Sequence, residues 1–570
     1  MLYRYFLIII LSALASEFSM AQAEVDENRK AHKKIYSSQD KIAFHIQGAI
    51  KKMEDGQILE IEGEYIFSAN VLPEFYKNRD YKPAWDNYTV LLDALNALHQ
   101  SWQDGLIPND YHADRLRNII GLIGGKLSEG EIDYDWVGEF DILVTDVILL
   151  YAYHLLKGKV DPESLDPNWN YSFREIMEDA PYKLEQAIAR GEISNALHEL
   201  RPDMILYRDY MTLLVDYRQI ADAGGWGVIP RGKVVSPGDK DDRVPMIRER
   251  LLKTGELRSD TNLLSPLYDE YLVSDVKQFQ HKNALTPDGI IGKGTFEALN
   301  ETVQERIAKL RVNMERLRWV VSDKSNRFIL VNIPAFKAYY IEDNITRFVA
   351  NVQVGRTYTK TPVFKSRLHY IEFNPTWTVP YSIVKNSIIP HIKSDSLYLD
   401  RNNFELIDRS GNIVANSSLN RAEISPSNFP FMVRQKPGAG NSLGVVKFIF
   451  PNKYSVFLHD TPSKSLFDRQ ERAFSHGCIR TQNPLDLAVV LLEGTEWTRE
   501  KIDSTVKSHK TIRVFPEKDI DVLLLYLTAG YYEGNGIGFF RDIYSRDAKV
   551  LEELNTTEPT SLKAENTSTN

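Results

Sequence analysis

Near residue 325 the hydrophobic pattern changes period, and this constrains the fold more than any other feature of the 570-residue chain. Before that point apolar residues recur at helical spacing, as in Val90, Leu91, Leu92, Leu95 and Leu98, or from Asp141 to Leu156. After it, FILVNIP (328–334), AYYIE (338–342) and TRFVANVQVG (346–355) alternate and are rich in β-branched and aromatic residues. These predict strands, with others at 368–373, 444–450 and 454–458. A helical part followed by a β-rich part does not make one core, and at roughly 150 residues per domain the length suits about four units. The fold class expected is therefore multi-domain α+β. With 43% hydrophobic and 26% charged residues the chain is globular, and a net charge of −9 excludes a surface that grips nucleic acid throughout. No nucleic-acid partner is expected.

Residues 1–23 have the layout of a secretory signal peptide: Arg4, an apolar run from Phe6 to Ala15, and Ala21-Gln22-Ala23 as a cleavage site, giving a mature start at Glu24. Ten apolar residues span about 15 Å of a hydrocarbon core near 30 Å, so the mature chain is not expected to cross the membrane. The apolar stretch 143–157 is interrupted by Asp146 and reads as a buried core helix. Residues 24–45 are charge-rich and read as a flexible leader, and 46–235 as a helical scaffold. There Phe75, Tyr76, Trp85 and Gly224-Gly225-Trp226 read as core and turn elements.

Residues 236–302 show three short helices. Val244, Ile247, Leu251 and Leu252 mark a face ending at Gly255. Val276, Phe279 and Gln280 follow an N-cap at Ser274 or Asp275. Phe296 and Leu299 follow the Pro287-Asp288-Gly289 turn, on a helix from about Thr295. A linking helix covers 303–324. The β-rich domain runs over 325–515, interrupted at about 383–433 by an insertion with one helix (382–391) and Asn/Ser-rich loops, the length of a lid or binding loop. Residues 516–551 form a C-terminal extension packing on the scaffold, and 552–570 read as a disordered tail.

The chain has one cysteine, Cys478, so no disulfide forms within it. A lone thiol in an exported protein is exposed to oxidation and persists because it is buried or because its chemistry is needed. Cys478 lies in SHGCIR (475–480), and His459-Asp460 ends the predicted strand YSVFLHD nineteen positions earlier. A free thiol is only a few per cent thiolate at neutral pH, so nucleophilic catalysis needs a base or cation beside it, and His459 supplies one. Gly477 lets the backbone expose its amides, making those of Gly477 and Cys478 candidates for an oxyanion hole.

Two rivals carry less. Ser382-Ile383-Val384-Lys385, Ser418-Leu419-Asn420 and Lys253-Thr254-Gly255 match serine acyltransferase motifs, but KTG comes before SxxK and ends a helix. A zinc site from His459, His476 and Cys478 lacks a fourth ligand and paired-cysteine spacing, so neither a metal nor another cofactor is called for.

Cys478 in SHGCIR after His459-Asp460 resembles the signature of L,D-transpeptidases with a YkuD-like domain, the cysteine acyltransferases of peptidoglycan. TPVFKSRLHYIEFNPTWTVP (361–380), RQKPGAGNSLGVVKFIFPN (434–452) and LHDTPSKSLF (458–467) resemble the large periplasmic kind, which carries a scaffold, a peptidoglycan-binding domain and a lid. YRDYMTLLVDYRQIADAGGWGVIP (207–230) is similar to that scaffold, and VKQFQHKNALTPDGIIGKGTFEALN (276–300) to the peptidoglycan-binding domain.

The resemblance implies Cys478 as nucleophile and His459 as general base and later acid, its imidazole oriented by a backbone carbonyl near Ser475 or His476. Asp460, next on the strand, points to the other face and is not a third member. His476 shapes the turn or exchanges protons. Arg480 binds a substrate carboxylate or steadies the loop. Trp377, Tyr381, Arg434 and Asn441 are substrate-cleft candidates, with core or lid packing an equal reading of Trp377. The implied partners are peptidoglycan stem peptides, with carbapenem-type β-lactams as covalent inhibitors, in a Gram-negative periplasm. The acceptor of the acyl group stays open among a second stem, water, a free D-amino acid and a lipoprotein lysine. A non-catalytic wall-binding scaffold is the alternative outside enzymology.

Overall fold

The computed structural model describes residues 26–61, 63–126, 132–165, 169–170, 179–258, 262–320, 325–438, 440–534 and 536–556. The expected signal segment 1–23 lies outside them.

The scaffold is built round the helix Tyr134–Lys157, which is buried on nearly every side. Its N-cap Asp133 accepts from the amides of Asp135 and Trp136. Two carboxylates inside it explain how a helix this apolar tolerates charge. Asp141 accepts from Tyr76 Oη and from the Ala84 and Trp85 amides, and Asp146 from the Phe67 and Ser68 amides. Burial pushes both carboxyls up to about 6, and the hydrogen bonds oppose it. This is the buried core helix the sequence predicts, and among the described residues no helix is long and apolar enough to cross a membrane.

The leader expected over 24–45 differs. From residue 26 its described part is helical, leading into the helix Gln39–Glu54, and Ile35, Tyr36, Ile42 and Ile46 are buried. Polar composition there belongs to the outer face; the apolar residues pack against Tyr134–Lys157.

The unit after the scaffold has its own small core, of Val244, Ile247, Leu251, Leu272, Val276, Phe279, Phe296 and Leu299, from the helices Val244–Lys253, Glu270–Lys282 and Lys293–Leu299. The second helix starts a turn earlier than expected, because Asp269, not Ser274 or Asp275, caps it through the Leu272 amide. Gln280 clamps the turn at 287–289, accepting from the Gly289 amide and donating to the Ile290 carbonyl.

The linking helix Val303–Val320 is lined by buried Arg306, Asn313, Glu315, Arg316 and Arg318. A helix with this many charges suits solvent, yet this one runs between scaffold and sheet and also buries Leu310, Met314 and Leu317, so its charges find partners: Glu315 with Arg318 at 2.6 Å, Arg316 with Asp547 at 2.6 Å. At the end of the scaffold helix Gly158 (φ +87°) passes so close to Glu315 and Trp319 that a methyl group would overlap them. Scaffold, linking helix and sheet share one hydrophobic core.

Among the described residues the main sheet has twelve strands. In chain order they are β1 (Trp169–Asn170), β2 (Arg327–Asn332), β3 (Lys337–Glu342), β4 (Ile345–Gly355), β5 (Val363–Arg367), β6 (Tyr370–Phe373), β7 (Val446–Ile449), β8 (Leu458–His459), β9 (Ala473–Ser475), β10 (Ile479–Thr481), β11 (Ile512–Val514) and β12 (Asp521–Leu525). Their order across the sheet is β11-β6-β7-β8-β10-β4-β3-β2-β12-β5-β1, with β9 pairing beside β4. The boundary expected at 515 moves outward, since β12 lies parallel to β2 and antiparallel to β5, buried along its length. Within 516–551 the Ala529 carbonyl accepts from Tyr210 Oη of the scaffold, and beyond it, in the stretch expected as a tail, the Leu554 and Thr556 carbonyls accept from Lys159 Nζ. The tail expected from 552 begins inside the helix Asp547–Leu554, and residues 557–570 lie outside the described residues.

The insertion is more ordered than Asn/Ser-rich loops suggest. The strands Trp377–Thr378, Phe404–Ile407, Ile413–Val414 and Met432–Gln435 form a separate four-stranded sheet, and helical turns over 381–394 close on it. Its core of Val379, Val384, Ile388, Leu406 and Val433 is distinct from the main one.

Candidate active site

β8 and β10 are neighbouring parallel strands, with Leu458 opposite Ile479 and His459 opposite Arg480. Leu458 and Ile479 point into the core with no exposed surface. Alternation therefore puts Phe457, His459 and Arg480 on the other face, and carried back one residue before β10 it puts Cys478 there too. Lys447 on β7 lies opposite His459.

The imidazole of His459 is buried and held by the carbonyl of the next residue, Nδ1 donating to Asp460 O at 2.5 Å. A carbonyl can only accept, so Nδ1 carries the hydrogen and Nε2 keeps a lone pair. The sequence places the orienting carbonyl near Ser475 or His476. The structure places it at Asp460, because Ser475 O is taken by the Arg356 amide and Thr359 Oγ1. The Asp460 side chain is turned away as expected, accepting from the Val445 amide and pairing with Lys464. Gly444, at φ +62°, lies directly against that carboxylate.

Burial holds His459 down at about 3, with Arg480 and Lys447 lowering it further and the Asp460 bond opposing. Burial pushes the Cys478 thiol up, opposed by a backbone hydrogen bond from Phe457 and by Arg480. At neutral pH the resting pair is a neutral imidazole and a neutral thiol. Cys478 Sγ donates to the Ser455 carbonyl at 3.8 Å, so attack requires the thiol to turn from that contact.

Ser475 and Gly477 shape the loop. Ser475 Oγ donates to Cys478 O at 2.6 Å and accepts from the Gly477 amide at 3.1 Å. That amide, expected as an oxyanion donor, is engaged, which leaves the Cys478 amide as the donor candidate. Gly477 has φ +118°, a conformation that favours glycine. His476 is exposed, and its pKa is lowered by partial burial and by Arg356 and Arg480. Arg480 Nη1 donates to Gln353 Oε1 at 3.2 Å, while its buried Nε meets no acceptor among the described residues. Arg356, at the end of β4 and not singled out by the sequence, adds a second cation beside Arg480. Lys447 is paired with buried Glu372 at 2.7 Å, so the positive charge here comes from Arg480 and Arg356, in a chain of net charge −9, and suits an anionic group.

The four cleft candidates are not drawn to this face by any described contact. Trp377 packs on Phe404 within the insertion sheet, and Arg434 pairs with Glu405 there. Tyr381 is exposed on the insertion, its hydroxyl donating to Pro426 O. Asn441 is buried with its amide hydrogens on the Pro375 and Lys436 carbonyls and its oxygen on the Leu443 amide, a loop staple with no donor left for a ligand. The rival motifs fare no better. Thr254 Oγ1 donates to Glu256 in the small helical unit, while Ser382 lies in a helical turn of the insertion. Among the described residues no three His, Cys, Asp or Glu side chains gather as a metal site.

Comparison with known proteins adds three family matches. Residues 326–506 match the YkuD family, described as "L,D-transpeptidase catalytic domain". Residues 70–214 match "Scaffold domain", and 240–299 "Putative peptidoglycan binding domain". A Haemophilus influenzae protein named "Putative L,D-transpeptidase" is 36% identical over 248 residues, 43% of this chain and 50% of that protein. The match thus spans about half the length of that relative. Among solved structures, the L,D-transpeptidase of Xylanimonas cellulosilytica aligns at 12% identity and TM-score 0.17, over 52% of this chain and 99% of its own. That of Stackebrandtia nassauensis aligns at 10% and 0.21, over 53% and 97%.

Proposed function

Given that the chain carries a YkuD-type L,D-transpeptidase catalytic domain together with a scaffold and a peptidoglycan-binding domain, we propose that it forms cross-links between peptidoglycan stem peptides through a thioester on Cys478. The observation that carries this reading is the His459 Nδ1–Asp460 O bond, which leaves Nε2 unprotonated on the face that Cys478 shares.

In the first half-reaction Nε2 takes the thiol proton and Cys478 Sγ attacks the carbonyl at the L-centre of the third, diamino-acid residue of a stem. The Cys478 amide stabilises the oxyanion. The intermediate collapses, the terminal D-alanine amine leaves with the proton held on His459, and a thioester remains. In the second, the side-chain amine of a neighbouring stem's diamino acid attacks, His459 takes its proton, and the thiolate departs and recovers it. A cross-link joins two third residues, and the scheme is ping-pong. Arg480 favours the transient thiolate, and Arg480 with Arg356 beside it favours the stem carboxylates.

Carbapenem-type β-lactams acylate Cys478 in this reading. Export to a Gram-negative periplasm belongs to the same proposal, supported by the signal-like layout of residues 1–23 and by the wall substrate proposed. Water or a free D-amino acid resolving the same thioester is the second reading, favoured by the partial exposure of Cys478. Wall fragments digested after incubation with the protein separate them: dimers joined between third residues mean transpeptidation, and shortened monomers alone mean hydrolysis. Cross-linking unchanged by Cys478→Ala returns the protein to a binding scaffold.

A further inference from the structure

Both backbone groups of Gly477 are tied. Its amide donates to Ser475 Oγ, and its carbonyl accepts from Thr361 Oγ1 at 2.9 Å. The same Thr361 oxygen accepts from the Gly355 amide at 2.9 Å. Tyr544 completes the arrangement, Oη donating to the Gly355 carbonyl at 2.6 Å and accepting from the Thr361 amide at 3.2 Å. Thr361 has no exposed surface, and Tyr544 is buried. Tyr544 is itself fixed by Tyr526, whose ring stacks on it at 5.5 Å and whose hydroxyl accepts from the Tyr544 amide and donates to Asp542. The side chain of Arg316, on the linking helix, lies over Tyr526 and pairs with Asp547.

The peptide between Gly477 and Cys478 is planar and trans, so its carbonyl and its amide point in opposite directions. Holding the Gly477 oxygen on Thr361, which has no exposed surface, therefore turns the Cys478 amide away from Thr361 and fixes its direction. A glycine at φ +118° has little steric barrier against rotating that peptide, so the tether must supply the constraint.

We propose that Thr361 and Tyr544 are positioning residues for acyl transfer: they fix the 477–478 peptide so that the Cys478 amide is set to receive the oxyanion. Tyr544 lies in the C-terminal segment, beyond the family match that ends at residue 506, so that segment is part of the catalytic machinery. The proposal rests on the thioester reading above.

The test uses the full chain as wild type, Thr361→Val, Thr361→Ser and Tyr544→Phe. Two rates are read on Cys478 by intact mass: acylation by a carbapenem, which passes through an oxyanion, and alkylation by iodoacetamide, which does not. Thr361→Val and Tyr544→Phe acylate about tenfold to 10²-fold more slowly, the scale of a mis-set donor, while alkylation stays within about twofold across neutral and alkaline pH. Thr361→Ser, which keeps the hydroxyl, acylates within about threefold of wild type. Wild-type acylation rates in Thr361→Val and Tyr544→Phe overturn the proposal. So does a parallel fall in both rates, which reports general loosening. Tyr544→Phe, which removes one oxygen, decides the matter if Thr361→Val does not fold. A wild type that forms no adduct on Cys478 refutes the thioester reading instead.

Discussion

Replacing Gly444 by alanine tests whether the backbone behind Asp460 sets the imidazole. Two costs add. Alanine at φ +62° sits in the left-handed region, at about 1 kcal/mol. The new methyl group also overlaps the Asp460 side chain, which is pinned by the Val445 amide and by Lys464 and cannot swing aside. Overpacking of this kind costs about 2 kcal/mol, making about 3 in all. Gly411 is the control: its φ is +86°, but nothing lies within 4 Å of the added carbon, so Gly411→Ala carries the strain alone. At about 2 °C per kcal/mol for a large cooperative unit, Tm falls by about 6 °C for Gly444→Ala and about 2 °C for Gly411→Ala. Because Asp460 O holds His459 Nδ1, displacing Asp460 also tilts the base, and carbapenem acylation of Gly444→Ala slows by about tenfold or more, while Gly411→Ala keeps the wild-type rate. Calorimetry and intact-mass kinetics read both quantities. If Gly444→Ala matches Gly411→Ala in Tm and in rate, the account of the Asp460 hinge is wrong.

His459→Gln slows acylation by about 10²- to 10⁴-fold, the contribution of a positioned general base, measured as the single-turnover rate. The same variant reports on pH. The folded imidazole is held at about 3 against an ordinary 6.5, so below pH 6.5 the unfolded chain binds the extra proton and the folded one does not. The stability tied to the neutral ring is complete above pH 6.5 and is lost as pH falls toward 3; wild type loses about 1.4 kcal/mol per pH unit relative to His459→Gln, read by chemical denaturation at stepped pH. Asn441→Ala strips the Pro375 and Lys436 carbonyls of their donor and costs about 2–4 kcal/mol, with acylation by a saturating carbapenem little changed; a change in apparent affinity with full stability would make Asn441 a ligand contact instead.

The strands β2, β3 and β4 were legible because they are rich in β-branched and aromatic residues, although their burial alternates only in part, and the small helical unit because Val244, Ile247, Leu251, Val276 and Phe279 keep helical spacing. Strand β12 was hidden: DVLLL is a continuous apolar run without alternation, and its partners β2 and β5 lie more than a hundred residues away in the chain. The helical segment from residue 26 was hidden for a related reason, since only the position of Tyr134–Lys157 shows what Ile42 and Ile46 pack against. At the site, His459 and Cys478 could be read from their residue types and from the strand end. The carbonyl that orients His459 could not, because it depends on how the chain turns after β8. Thr361 and Tyr544 carry no local signal at all; they meet Gly477 and Gly355 only through the fold. Arg434 and Asn441 have residue types that suit a ligand as well as a lid staple, and only their partners tell the two apart.

The most direct measurement of the central claim is intact mass after exposure to a carbapenem, on wild type and Cys478→Ala. One covalent adduct on the wild type, mapped by peptide digestion to residue 478 and absent from the variant, is the predicted result. An adduct that survives loss of the thiol, or a wild type that stays unmodified, contradicts it.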